Sequence, residues 1–391
     1  MGATAFTIIA DDLTGACDTG CLFAGPGLVG VVAEPVLPFA HRTVVTVDTE
    51  SRRLAPDEAA RVIRATTARL EGRLAASSVF KKIDSTMRGA VGAELAALLD
   101  RGLFSGALVC PAFPAQGRVV RHGRLLVDSV PVHQSRLGRD PGFRGATSDV
   151  AALLDGAGAP IITLGLAEVR AGREKIAHVI EQHPGGIVAA DAETDADLAS
   201  LAQALASVPG TLAAGSAGLG RALSCALGLA GPAATLPPGP ARLVVIGSLH
   251  PAGRAQLDTL ARAGVPGVEA DAAGHTDPAP AVAALASGRP AFVASVTAPA
   301  SREAVVRQVA QAATRVLERA RPDLTLVTGG ETAYALIQAL RPERFDLLGA
   351  PADGLALGEL TMPGGRRIPL LTKAGGFEAA AFFASLLGGA P

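Results

Sequence analysis

The chain has 391 residues, enough for two packed domains, and its net charge of -1 offers no basic surface for nucleic acid or an acidic membrane. Hydrophobic residues make up 49% and charged residues 18%, which is typical of a globular protein and not of a disordered one. No apolar run reaches membrane-spanning length, and no basic segment followed by an apolar one opens the chain, so the expected location is cytoplasmic.

The first half of the chain alternates apolar stretches with amphipathic ones, which predicts an α/β fold on a mostly parallel sheet. The predicted strands cover residues 6–10, 29–33, 43–47, 78–83, 107–110, 160–164 and 186–190. The predicted helices cover residues 56–74, 90–100, 148–154, 167–181 and 196–206. Residues 118–132 break the alternation, and their pattern is typical of a hairpin that turns at His122 and Gly123.

A proline-rich segment, residues 231–240, separates this half from a second α/β pattern and predicts a linker. The expected domains are therefore residues 1–230 and 241–391, each a mostly parallel sheet flanked by helices. In the second domain the predicted strands cover residues 243–246, 291–295, 324–327, 355–361 and 368–371. The predicted helices there cover residues 252–263, 281–286, 301–319, 332–340 and 377–387.

Two adjacent carboxylates, Asp11 and Asp12, follow the first predicted strand, and Thr14 lies in the turn that leads into a helix. The carboxyl ends of parallel strands form the ligand-binding edge of an α/β sheet. Two neighbouring acids repel each other and are costly to bury, which favours a functional role. The alternative is that Asp11 or Asp12 only caps the helix, because short polar side chains are good N-caps.

Basic and polar side chains follow two further strands. Arg52 comes after the third strand, where a guanidinium is suited to binding a carboxylate through two parallel hydrogen bonds, although alone it is more typical of a surface residue. The fourth strand and its loop carry five polar residues within seven positions: Lys82, Asp84, Ser85, Thr86 and Arg88. The alternative for this segment is a helix capped by Ser85 or Thr86 beside a solvated arginine.

The next segment, PAFPAQGR at residues 111–118, is constrained by Pro and Gly, and a stiff turn is its simplest role.

The second half has glycines and hydroxyl residues, not acids, between its strands and helices. Three strand-to-helix junctions carry them, at Ser248, at Gly329, Gly330, Glu331 and Thr332, and at Gly375 and Gly376. Glycines allow backbone N–H groups to approach a polyanion, and a helix N-terminus adds partial positive charge. The pattern therefore predicts a phosphate-bearing ligand. A P-loop and a GxSxG elbow are absent from the sequence, and GSAGLG, which begins at Gly215, lacks the spacing of a dinucleotide fingerprint.

The segments IADDLTGACD, TESR, KKIDSTMRG, PAFPAQGR, GS at residues 247–248, GGETA and TKAGGF occur in the order seen in the four-carbon acid sugar kinases. The chain resembles this family over nearly its whole length. The resemblance implies ATP-dependent phosphorylation of the terminal hydroxyl of a four-carbon sugar acid such as D-threonate or D-erythronate, with Mg²⁺ bridging the ATP phosphates. It also implies that residues 1–230 bind the acid, that residues 241–391 bind ATP, and that the active site lies in the cleft between the domains.

Residue roles follow from this resemblance. Asp12 and Asp84 are the candidate catalytic residues, and we favour Asp12 as the general base. The candidate residues for binding the acid are Asp11, Thr14, Arg52, Lys82, Ser85 and Arg88, with Arg52 as the clamp on its carboxylate. The candidate nucleotide-binding residues are Ser248, Gly329, Gly330, Glu331, Thr332, Gly375 and Gly376. No side chain is assigned as a metal ligand, and a homodimer is one possible assembly.

Two other functions stay open at this point. One is a 3-oxo-tetronate kinase, although the TESR segment is more similar to the D-threonate and D-erythronate kinases. The other is a sensor that binds a sugar acid and a nucleotide without turnover, which two carboxylates beside the pocket disfavour. An ATP-dependent ligase needs a second acceptor site, and nothing in the sequence suggests one.

Overall fold

The computed structural model describes residues 5–23, 30–32, 44–75, 77–140, 142–231, 233–247, 251–270, 276–295 and 301–373. The chain divides into two compact units, Met1–Gly231 and Pro232–Pro391. Each unit contains a mostly parallel sheet flanked by helices, as the sequence predicted. No helix in these described ranges has both the length and the apolar character needed to cross a membrane.

The described residues of the first unit form eleven strands and nine α-helices. The strands are β1 (Ala5–Ala10), β2 (Gly30–Val32), β3 (Val44–Asp48), β4 (Ser77–Lys82), β5 (Gly106–Cys110), β6 (Arg118–Arg121), β7 (Arg124–Val127), β8 (Val130–Pro131), β9 (Ile161–Leu164), β10 (Ile187–Ala190) and β11 (Thr211–Gly215). The helices are α1 (Leu13–Leu22), α2 (Pro56–Arg69), α3 (Glu71–Leu74), α4 (Val91–Leu99), α5 (Val150–Leu153), α6 (Leu166–Arg170), α7 (Arg173–Gln182), α8 (Asp195–Ser207) and α9 (Ala217–Ala226).

The main sheet of this unit is parallel throughout, in the order β2-β3-β1-β4-β11-β5-β10-β9. Strand β1 lies between β3 and β4, so the chain leaves β1 towards one side and later returns to its other side. Such a reversal opens a crevice beyond the carboxyl ends of the strands, where ligands bind in open α/β sheets. The topology therefore places the loops after β1, β3 and β4 next to one another.

A separate antiparallel sheet is formed by β6, β7 and β8. Its first turn is at His122 and Gly123, as the sequence predicted. The buried carboxylate of Asp191 accepts hydrogen bonds from the backbone N–H groups of both turn residues, each at 2.8 Å. These two bonds anchor the hairpin to the loop that follows β10.

The second unit contains the strands β12 (Arg242–Ile246), β13 (Gly267–Ala270), β14 (Ala291–Ser295), β15 (Leu324–Thr328), β16 (Arg344–Gly349), β17 (Leu355–Thr361) and β18 (Arg367–Lys373). Its described helices are α10 (Pro251–Arg262), α11 (Ala279–Ala286), α12 (Arg302–Arg319) and α13 (Gly330–Leu340). Strands β13-β14-β12-β15-β18 are parallel in that order, and β17 and β16 continue the sheet antiparallel. Side chains of β12, β14, β15, β17 and β18 form its core.

Some predicted elements differ from the structure. Strand β11 was not predicted, although it lies in the sheet between β4 and β5, because TLAAG has one β-branched residue and otherwise mostly small ones. The short strands β13 and β16 were missed as well. The predicted helix over residues 167–181 is two helices, α6 and α7, separated at Gly172, whose φ of 102° no helix accommodates. The predicted helix over residues 377–387 lies outside the described residues.

A fully buried ion pair joins β4 to α4 in the first unit. Lys81 Nζ lies 2.6 Å from Glu94 Oε2, and the two side chains are 0% and 1% exposed. Removing one partner of such a pair is costly, because the other charge then stays buried without compensation.

We expect Glu94→Ala to lower the free energy of unfolding by about 3–5 kcal/mol, because it leaves the Lys81 ammonium buried and unpaired. Asp100→Ala is the matched control, since it removes the exposed ion pair with Arg64 and should cost less than about 1 kcal/mol. Urea unfolding of both variants measures the difference. Equal small losses in the two variants would contradict a structural role for the buried pair.

Candidate functional site

The side chains predicted to carry chemistry meet at the carboxyl ends of three neighbouring strands. Asp11 and Asp12 follow β1, Arg52 follows β3 by four residues, and Asp84 follows β4 by two. Because β3 and β4 flank β1, these loops are adjacent, and Arg52 Nη1 lies 3.9 Å from an oxygen of Asp84. The structure thus brings the three predicted acids and the predicted arginine together in one cluster.

Arg52 binds both neighbouring aspartates at once. Its Nε and Nη2 donate to the two oxygens of Asp11, each at 2.8 Å. Its Nη2 also donates to Asp12 Oδ1 at 2.7 Å, and Nη1 donates to the other oxygen of Asp12. A guanidinium has five N–H donors. Four of them bind the two aspartates, and the fifth is on Nη1, the nitrogen that lies 3.9 Å from Asp84.

Charge pairing outweighs burial in this cluster. Burial would raise the pKa of the Asp11 carboxyl, but Arg52 lowers it, with smaller contributions from Lys81 and Lys82. Burial would lower the pKa of Arg52, but Asp11, Asp12 and Asp84 raise it well above its usual value. Asp11 and Arg52 are therefore ionised throughout the physiological range.

Backbone contacts hold the loop after β3 against the end of β1. Thr49 donates to the carbonyl of Ala10 through both its N–H and its Oγ1, at 3.0 and 2.7 Å. The N–H of Arg52 donates to the carbonyl of Asp11 at 3.1 Å. Glu50 adopts a left-handed conformation with φ of 44°, and its Oε1 accepts from the N–H of Leu13 at the start of α1. These contacts fix the backbone at Arg52 and so place its guanidinium beside Asp11 and Asp12.

Asp84 is held by the residues that follow it. Its oxygens accept from Arg88 Nη2 at 2.7 Å and Nε at 2.9 Å, and from the N–H and the hydroxyl of Thr86. Burial would raise the pKa of Asp84, but Arg88 and Arg52 lower it well below its usual value. The cap alternative fails for this segment, because α4 begins at Val91 and its N-cap is Ala90. Ser85 lies in the same loop and is partly exposed.

Helix α1 begins at the same edge, and Asp12 is its N-cap, accepting from the N–H of Gly15 at 2.8 Å. Thr14, in the first turn of this helix, is partly exposed. Lys82 reaches the same turn: a Cβ on Gly15 would lie 2.8 Å from Lys82 Nζ and 2.7 Å from Asp12 Oδ1. Lys82 is 5% exposed, and its Nζ donates to the carbonyl of Ile83 at 3.1 Å. Because Gly15 has no side chain, the ammonium of Lys82 has room next to the start of α1.

The structure adds acids that the sequence analysis did not select. Asp140 accepts from Arg88 Nη1 at 3.2 Å, and it comes from a loop that no periodicity marks. Asp18 lies one helical turn after Gly15, a spacing that places it on the same face of α1. Burial raises the pKa of Asp18 to about 6, a rise that Lys82 partly offsets. Its spacing of three residues from Gly15, in the helix that Asp12 caps, is the signal that could have identified Asp18.

In the second unit, the registers of β12, β15 and β18 align the strand ends at Ile246, Thr328 and Lys373. Gly329, with φ of 88°, is the N-cap of α13, and its N–H donates to the carbonyl of Lys373 at 3.0 Å. Thr332 packs against Gly247, where a Cβ would overlap the threonine side chain.

Gly330 and Glu331 open helix α13, and Glu331 accepts from Arg302 Nε at 2.8 Å. Lys373 is 1% exposed, and burial lowers its pKa to about 8. Three predicted residues, Ser248, Gly375 and Gly376, lie outside the described residues. In the described part of the chain, no group of three or more His, Cys, Asp or Glu side chains is arranged to hold a metal ion.

We expect Asp18→Asn to stabilise the protein at pH 8 and to leave its stability unchanged at pH 4. A carboxyl whose pKa is raised on folding, here from 3.8 to about 6, destabilises the folded state progressively as the pH rises through that window. The amide has no such cost, so the gain in the free energy of unfolding at pH 8 should be about 3 kcal/mol. Urea unfolding at the two pH values measures it, and a loss of stability at pH 8 would contradict this environment for Asp18.

Two family models match the chain. A model described as a sugar-binding N-terminal domain matches residues 6–223, and one described as a nucleotide-binding C-terminal domain matches residues 243–383. A D-threonate kinase of Bordetella bronchiseptica is 35% identical over 96% of this chain and 95% of its own length. A 3-oxo-tetronate kinase of Methylobacterium radiotolerans is 31% identical over 97% of each chain.

Solved structures show the same fold. A crystal structure of a Haemophilus influenzae protein has a TM-score of 0.74 at 21% identity and covers 98% of this chain and 99% of its own. A Bordetella bronchiseptica protein, crystallised with citrate as a domain-swapped dimer, has a TM-score of 0.50 at 30% identity and covers 98% of both chains. With both family models and near full-length relatives in agreement, the chain belongs to the four-carbon acid sugar kinase family.

Proposed function

We propose that this chain is an ATP-dependent kinase that phosphorylates the terminal hydroxyl of a four-carbon sugar acid such as D-threonate or D-erythronate. The observation that carries this proposal is the cluster of Asp11, Asp12, Arg52 and Asp84 at the reversal point of a parallel sheet. That cluster lies within the part of the chain matched by the sugar-binding model. The names of the relatives, which include D-threonate and D-erythronate kinases, support the substrate class.

Asp12 is the better placed of the two candidate bases. The Asp12 side chain is 19% exposed, against 10% for Asp84 and 2% for Asp11, so it is the more accessible carboxylate. The positive charges of Arg88 and Arg52 strongly lower the pKa of Asp84. A carboxylate with a low pKa is a poor proton acceptor. In the reaction the hydroxyl oxygen bonds to the γ-phosphorus as the bond to the ADP oxygen breaks, and the hydroxyl proton passes to Asp12.

Asp84 and the remaining predicted residues position the acid. Arg52 fixes Asp11 and Asp12 and contributes its one remaining N–H, a smaller role than the two-bond carboxylate clamp that the sequence suggested. Lys82 supplies a buried ammonium, and Arg88 holds Asp84. Thr14 and Ser85 supply hydroxyls at the exposed side of the same edge.

For the nucleotide, we propose Gly329 to Thr332 at the start of α13, supported by the match of residues 243–383 to the nucleotide-binding model. A helix N-terminus preceded by a glycine in a left-handed conformation offers backbone N–H groups to phosphate oxygens. We propose that an Mg²⁺ ion accompanies the bound ATP. That ion would neutralise phosphate charge during transfer.

The assembly and the location are further parts of the proposal. A homodimer is supported by the relative that crystallised as a domain-swapped dimer. A cytoplasmic location is consistent with a kinase that uses ATP.

A 3-oxo-tetronate kinase is the second candidate, because relatives with that name also match nearly the full chain. An assay of ADP release over a panel of four- and five-carbon aldonates, their 3-oxo forms and the matching neutral sugars separates the two. We expect acid-dependent ADP release with D-threonate or D-erythronate and little with neutral tetroses. Preference for 3-oxo acids would favour the second candidate, and no acid-dependent release would favour a sensor.

We expect Asp12→Asn to lower kcat by about 10²–10⁴-fold, because loss of a general base has this effect. Asp84→Asn should also lose most turnover, since it weakens the hold on Arg88 and on the guanidinium of Arg52. Asp100→Asn, on the exposed end of α4, is the matched control and should keep wild-type kcat. A folded Asp12→Asn variant with near wild-type kcat would show that Asp12 serves only as a helix cap and as a partner of Arg52.

A further inference from the structure

The two predicted arginines of the candidate site use their N–H groups to bind carboxylates of the protein. Arg52 gives four of its donors to Asp11 and Asp12. Arg88 binds Asp84 with two nitrogens and Asp140 with the third. Arg52 therefore keeps no pair of parallel donors for the carboxylate of an incoming acid, and Arg88 is already neutralised by two carboxylates of the protein. A carboxylate entering this acid-rich edge needs a guanidinium that is not paired with an acid.

Arg118 is a guanidinium of this unit whose donors are not taken up by a carboxylate. Its described hydrogen bonds go from Nη1 to the carbonyl and side-chain oxygens of Gln116, at 2.5 and 3.0 Å. Its Nε is buried and has no hydrogen-bond partner among the described residues. Within the same described ranges no Asp or Glu oxygen lies within ion-pair distance of it. A half-buried cation in this state is suited to binding an anion.

Arg118 lies near the candidate site. It begins β6, in the loop after β5, and the register aligns the end of β5 with Gly215 and, across β11, with Lys82. Its charged neighbours are Asp84, Asp128, Arg88 and Arg136. Burial lowers the pKa of Arg118, Asp84 and Asp128 raise it, and the two arginines lower it further.

The loop that carries Arg118 is rigid. The backbone N–H of Phe113 donates to the carbonyl of Arg118 at 2.8 Å, and the N–H of Arg118 donates back to Phe113 at 3.1 Å. Gly117 adopts φ of 68°, and its carbonyl accepts from the N–H of Asp128 at 2.8 Å. The stiff turn predicted for residues 111–118 thus presents one arginine in a fixed position, which limits the entropy lost on binding.

We propose that Arg118 binds the carboxylate of the four-carbon acid and so sets the preference of the enzyme for acids over neutral sugars. This inference rests on the proposed function and adds a substrate-binding residue to the same site. Lys82, whose Nζ has one described acceptor, supplies the second positive charge. Arg52 and Arg88 then organise the protein's own carboxylates, and Arg118 receives that of the substrate.

The test compares Arg118→Met and Arg118→Lys with Arg124→Met, an exposed arginine of the same hairpin, in the full-length protein. With D-threonate or D-erythronate as the varied substrate, Arg118→Met should raise KM at least about 30-fold. KM for ATP should stay within about twofold of wild type, and so should both constants in Arg124→Met. Arg118→Lys should be intermediate, because an ammonium cannot form the two-bond fork.

A second measurement does not depend on how much of each variant is folded. The ratio of kcat/KM for the acid to kcat/KM for its neutral amide should be high in the wild type and should collapse in Arg118→Met. An unchanged ratio and an unchanged KM for the acid would overturn the inference, as would a rise confined to KM for ATP. A wild type that is inactive with every acid would instead refute the proposed function.

Discussion

The contact of Arg52 with two adjacent aspartates is the interaction on which the candidate site depends. Two like charges about 4 Å apart at an effective dielectric of about 20 repel by about 4 kcal/mol, so Asp11 and Asp12 need a shared counter-ion. A planar guanidinium can bond both carboxylates at once, whereas an ammonium is a point charge. Because Asp12 also caps α1, this contact fixes the start of the helix together with the two carboxylates.

The other charges fall into two groups. Some hold the framework: Arg88 joins Asp84 to Asp140, and Lys81 lies in a closed pair with Glu94. Others have donors that the described residues do not use fully, namely Lys82 and Arg118. A site for an anionic substrate needs both groups, because paired charges stay in place when the ligand arrives and unpaired ones gain a partner from it.

Sequence reasoning located the polar edge, because strand ends in an α/β pattern mark the ligand side, and β1, β3 and β4 were all predicted. It did not pair Arg52 with Asp11 and Asp12, because that pairing depends on strand order, which a sequence does not display. It missed Asp140, which lies 52 residues beyond Arg88 in irregular structure. It treated Arg118 as part of a turn, since only the three-dimensional structure reveals a guanidinium that is bonded to Gln116 but to no carboxylate of the described residues. The interdomain position of the active site stays a prediction.

The most direct test of this account is a crystal structure of the full chain with D-threonate or D-erythronate and a non-hydrolysable ATP analogue. The account predicts the terminal hydroxyl of the acid at hydrogen-bond distance from Asp12, with its carboxylate at Arg118 and Lys82. Asp11 and Asp12 should both stay on Arg52. An acid bound away from the ends of β1, β3 and β4, or a terminal hydroxyl that contacts neither Asp12 nor Asp84, would contradict it.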